Sequence, residues 1–268
     1  MSQITIFSLY LLAAAAFMLS RLPRFEPQSR PFLLVAYVFV LVGVILHEQH
    51  LFALILPGDG FHLSIGSAAS LIGLELAVIA IIAAFQPTLR GLSAGMLVLS
   101  AATAMLTSAS VDPSTGVAMA WQVRAHILIA LLSYGLLTVG AIVALFALIQ
   151  ERRLHSARIT PMNSLFAPLE TTEKLLIAVA ATGFAGLTLS IASGLSFVND
   201  LLEQNLAHKF GFSLIAWVIF GILLAGRFLV GWRGKRAVKL YLWGFATLCL
   251  AYFGSRVILQ EIFDKSWG

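Results

Sequence analysis

Charge is scarce in this chain. Lys, Arg, Asp and Glu make up 11% of the 268 residues and apolar residues 60%, and the mean hydropathy is +0.95. Soluble domains run nearer a quarter charged, and a soluble fold of this length has no way to hide so much apolar surface. Cysteine is nearly missing too. Cys249 stands alone inside an apolar run, which rules out an intrachain disulfide and makes an inert buried thiol the expectation. The first twenty residues carry no charge, and Arg21 and Arg24 follow the apolar stretch. A secretory leader has the opposite order, so this segment reads as a retained first span. There is no alternating pattern of a membrane barrel, no repeat or low-complexity tract, and no loop long enough to fold alone. P-loop, dinucleotide fingerprint, nucleophile elbow and phosphate cradle are all missing. Catalysis has no motif to rest on, and a protein that is not an enzyme is expected.

What the chain does have is apolar runs. Eight of them approach the ~20 residues that cross a ~30 Å hydrocarbon core. They cover residues 4–22, 32–50, 64–85, 91–108, 124–149, 175–197, 212–230 and 240–258. The second is apolar only to Leu46, with room to extend through His47 and His50 to Leu56. Turn signals separate the runs, among them Pro23 with Pro27, Pro57-Gly58-Asp59-Gly60, Pro87, Asp112-Pro113, Pro161 and Pro168. The expected fold is an all-α membrane protein, one polytopic transmembrane domain of about eight helices spanning residues 1–268. Membrane lipid is its expected surrounding, with other membrane subunits as candidate partners.

Cationic residues orient the bundle. Odd-numbered loops hold Arg21, Arg24, Arg30, Arg90, Arg152, Arg153, Arg158, Lys174, Arg227, Arg233, Lys235, Arg236 and Lys239, thirteen of the seventeen Lys and Arg. Even loops and the C-terminus keep Arg124, Lys209, Arg256 and Lys265. Positive loops stay cytoplasmic, so both termini are expected outside, in a bacterial inner (plasma) membrane crossed many times. The +5 formal charge therefore points to cytoplasmic loops, with the run 227–239 at anionic headgroups, and not to nucleic acid.

This orientation puts five of the six histidines at the outer face: His47, His50, His62, His126 and His208, with His155 cytoplasmic. His47 and His50 lie three apart, so on one helix their rings share a face and can chelate a metal; a polar cap on the second span is the plainer reading. Glu75 stands halfway along the third span. A carboxylate at that depth marks a proton or cation relay, or else a structural hydrogen bond to Thr103, Ser133 or Tyr134. The small residues Gly183, Gly186, Ser190, Ser193 and Gly194 of the sixth span read as a close-packing face.

The later part of the chain resembles the cytochrome c assembly family of CcsA/CcmC-type haem-handling membrane proteins. Residues 169–194, LETTEKLLIAVAATGFAGLTLSIASG, look like the family segment that runs from a polar helix start to a Ser-Gly exit. SLIAWVIFGILLAGR at 213–227 is similar to the helix after the family's external loop. GWRGKRAV at 231–238 and AYFGSR at 251–256 resemble its basic loop and final helix, and WQVRAHILIALLSYGLLTVGAIVALFALIQ at 121–150 resembles the helix opened by a haem-ligating histidine. That position is His126. The tryptophan-rich signature of the family's external loop is replaced by NDLLEQNLAHKFGF at 199–212, and its last external histidine has no counterpart in VILQEIFDKSWG. In these departures the chain looks like the divergent YpjD-type inner-membrane branch.

The resemblance implies haem as the cofactor. His126 and His208 are the candidate axial pair for haem iron, and Arg124 and Lys209, each within two residues of a histidine, are the candidates for the propionates. Two other readings stand beside it: a small-ion or proton transporter built on Glu75, and a membrane scaffold that has lost haem chemistry.

Overall fold

The computed structural model describes residues 2–56, 62–108, 120–155, 167–197 and 207–254. Eight α-helices carry the described chain, and no strand occurs among the described residues. They are α1 (Ser2–Leu19), α2 (Ser29–Ile55), α3 (Ile65–Ala84), α4 (Arg90–Ala104), α5 (Trp121–His155), α6 (Leu169–Phe197), α7 (Ala207–Leu229) and α8 (Lys235–Cys249). Short 3₁₀ turns at Pro23–Gln28, Pro87–Leu89 and Met105–Ser108 adjoin α2 and α4, and a π turn at Leu250–Gly254 extends α8. Six helical segments are long and apolar enough to cross a membrane, and α1 is a shorter apolar helix. The protein is an all-α, multi-pass membrane protein.

The helices outrun the apolar stretches that announce them. α2 continues past Leu46 to Ile55, and α5 reaches from Trp121 to His155. Helix formation needs only internal hydrogen bonds, so it continues where hydropathy falls.

The described residues form two compact units: Met1–Ala120 with Leu145–Thr172, and Trp121–Ala144 with Glu173–Gly268. In the first, α1 packs on α2 and α4, and α3 packs on α4 and α2. The buried positions of α2 are Ala36, Val40, Gly43, His47, Leu51 and Ile55. Steps of three and four residues make these one stripe along the helix, with His47 its single polar member. Leu34, Val38, Leu41 and Ile45 of the same helix are exposed, as lipid-facing side chains are.

In the second unit α6 lies against α5 along its small residues. A Cβ on Gly183 would strike the Leu137 side chain at 2.6 Å, and one on Gly186 would meet Ser133 at 3.2 Å. The Ser133 hydroxyl donates to the Gly183 carbonyl at 3.0 Å. Helices in lipid gain no hydrophobic energy from meeting, so close approach and such polar contacts hold them together. Tyr241 of α8 is fully buried and donates to the Leu137 carbonyl at 2.9 Å. Phe220 of α7 meets the Tyr241 ring edge-on.

The basic turn between α7 and α8 is built as a clasp. Gly231 and Gly234 have φ of 74° and 61°, a region open chiefly to glycine. Glu173 of α6 accepts the Gly234 N–H at 3.0 Å and pairs with Arg233 at 3.7 Å. Arg227 donates to the Trp232 carbonyl at 3.2 Å, and Arg236 lies 5.5 Å from the centre of the Trp232 ring.

Candidate functional site

His126 sits on the second turn of α5, half-buried against α6. Its Nδ1 lies 2.9 Å from Ser193 Oγ. Ser193 in turn donates to the Ser190 carbonyl at 2.9 Å. A Cβ on Gly194 would fall 3.1 Å from His126 Cε1, so the ring lies against bare backbone. Nε2 makes no side-chain hydrogen bond among the described residues. An imidazole held at Nδ1, with Nε2 clear of side-chain partners, fits the donor a haem iron takes. Arg124, two residues earlier, is exposed. His208 and Lys209 occupy the first turn of α7, where the backbone alone is described.

The histidine pair of α2 is built differently. His47 is completely buried. Tyr10 Oη of α1 lies 3.1 Å from its Nδ1 and Ser70 Oγ of α3 lies 2.7 Å from its Nε2. Tyr10 also meets the imidazole edge-on, with ring centres 5.7 Å apart. Both ring nitrogens are thus engaged with protein, and a metal would have to displace one of these bonds. His50, one turn on, has its Nε2 3.4 Å from both Thr107 Oγ1 and Gln3 Nε2, and Gln3 donates to the same threonine oxygen. Three helices and the turn after α4 meet through these groups. Sequence reasoning reached the shared face of His47 and His50. It missed Tyr10, Ser70, Gln3 and Thr107, which carry no signature of their own; the signal within reach was the i, i+4 spacing of Gly43, His47 and Leu51.

Glu75 lies near the middle of α3, half-buried, and has no hydrogen bond or ion pair among the described residues. Thr103, one of its candidate partners, donates instead to the Ser100 carbonyl and packs against Gly73. Ser133 and Tyr134 direct their hydroxyls to the Gly183 and Leu248 carbonyls. No group of three or more His, Cys, Asp and Glu able to hold a metal ion occurs among the described residues.

The comparisons with known proteins agree with the motifs. The family model described as Cytochrome C assembly protein matches residues 6–263. Inner membrane protein YpjD of Escherichia coli (strain K12) is 30% identical over 233 residues, covering 85% of this chain and 88% of its own length. Cytochrome c biogenesis protein CcsA of Guillardia theta is 24% identical over 159 residues, 53% of each chain. Its counterpart in Synechococcus sp. (strain CC9902) is 25% identical over 170 residues, 55% of this chain and 56% of that protein. No solved structure matches. With the family model spanning nearly the whole chain and the YpjD likeness running along most of it, the chain belongs to the cytochrome c assembly family.

Proposed function

We propose that this protein binds haem at the outer face of a bacterial inner membrane and handles it without catalysing a reaction. The observation that carries the reading is His126: a half-buried imidazole at the start of a spanning helix, anchored at Nδ1 by Ser193 and with no side-chain hydrogen bond at Nε2 among the described residues. Membership of the cytochrome c assembly family and likeness to proteins named for cytochrome c biogenesis supply the ligand class. His126 and His208 would hold the iron through imidazole nitrogen, and Arg124 and Lys209 would meet the propionate charge. Haem bound there would contribute an iron that takes imidazole nitrogen strongly. The chain's own part is to orient the ring, offer apolar walls and place cations at the rim. The thirteen cationic residues of the odd loops support the orientation, with both termini outside.

The absorption spectrum of the purified, haem-supplemented protein tests this. A Soret band in the wild type that is lost from the His126→Ala, His208→Ala double variant is expected. No band, or the same band in the variant, would sink the reading.

One observation favours a second reading. Glu75 is an intramembrane carboxylate without a protein partner among the described residues, and such groups mark proton or cation paths. Proton flux into liposomes that falls in Glu75→Gln would favour transport; equal flux dismisses it.

A further inference from the structure

Ser193 and His126 are 67 positions apart in sequence and in hydrogen-bond contact in the fold. We infer that Ser193 is a positioning residue that fixes the tautomer of His126, so that Nε2 presents the lone pair. The inference rests on the reading of His126 as a haem ligand, and it assigns a task to the Ser-Gly exit of α6.

A serine hydroxyl has one hydrogen to give. Ser193 gives it to the Ser190 carbonyl, 2.9 Å away in the preceding turn of the same helix. Its oxygen, 2.9 Å from His126 Nδ1, is then left to accept. With the hydroxyl so directed, Nδ1 carries the proton, and a neutral imidazole protonated at Nδ1 has its lone pair on Nε2. The acceptor is rigid, because the carbonyl that orients it belongs to a helix ladder. Gly194 completes the seat. A Cβ there would lie 3.1 Å from Cε1, closer than ordinary van der Waals contact, and would turn the ring away. Metal-bound histidines commonly give their other N–H to such an acceptor, which fixes the ring and raises its basicity. The bond also spans α5 and α6, so the packing of the small-residue face and the aim of the ring are one arrangement.

Nitrogen-15 NMR of the full-length, histidine-labelled protein in nanodiscs reads the tautomer without haem. The His126 signal, identified by its loss in His126→Ala, is expected in the Nδ1–H form. Ser193→Ala should release it toward Nε2–H, and Ser193→Thr, which keeps the hydroxyl, should hold it. Titration of the same three proteins with haemin should weaken binding by about ten- to a hundredfold in Ser193→Ala, with threonine close to wild type. An Nε2–H signal in the wild type overturns the inference before any variant is made. So do an unchanged tautomer and affinity in Ser193→Ala. A Ser193-dependent tautomer in a protein that takes up no haem upholds the positioning role and overturns the haem reading alone.

Discussion

His47 and His126 are the same residue type, each near one end of an apolar run, and their hydrogen bonds give them different work. His47 has both nitrogens occupied by Tyr10 and Ser70 in a fully buried position, so it joins three helices. Tyr10→Phe removes one hydroxyl and should cost about 0.5–1.5 kcal/mol. His47→Ala opens a cavity and leaves two buried hydroxyls unpaired, and should cost about 2–4 kcal/mol. Unfolding in mixed micelles by titrated denaturing detergent measures both, and equal losses would contradict this ranking. The sequence could say that the two α2 histidines share a face, since that follows from helical spacing alone. It could not say that His47 is core, because hydropathy falls at that point while the helix runs on to Ile55. Nor could it pair His126 with Ser193, because that contact depends on how α5 meets α6.

At the scale of elements, glycine positions and caps decide which helices touch. Gly183→Leu would drive a side chain into Leu137 and should separate α5 from α6, lowering the temperature of thermal aggregation in detergent. The same change at Gly211, where an added Cβ meets nothing within 4 Å, should leave it nearly unmoved. The α7–α8 clasp makes a second prediction. Gly234 has φ 61° and ψ −141°, a conformation nearly exclusive to glycine, so Gly234→Ala should destabilise by about 1–3 kcal/mol. Glu173→Gln should do less, because it keeps an acceptor for the Gly234 N–H and loses the Arg233 pair, a surface contact of about 0–1 kcal/mol. Differential scanning fluorimetry orders the two. The eight helices were legible from apolar runs, and the packing face of α6 from its small residues. The clasp was read only as a basic loop, since Glu173 lies far from Gly234 in sequence.

For the whole molecule, the positive-inside bias predicts which loops are accessible from which side. Cys249 is the single native cysteine, so a Cys249→Ser background carries engineered cysteines cleanly. A membrane-impermeant maleimide applied to intact cells should label position 208 and spare position 235; the reverse pattern would invert the bundle. Orientation bears on the proposed function, because the charge bias predicts His126, His208, Arg124 and Lys209 together on the outer side. His126, and not the buried His47, is the proposed haem ligand. Haem-reconstituted wild type, His126→Ala and His47→Gln, each confirmed as folded, should be compared by their Soret absorbance per protein. A band is expected in wild type and His47→Gln, with its loss or sharp reduction in His126→Ala. A band that survives in His126→Ala and disappears in His47→Gln would contradict it.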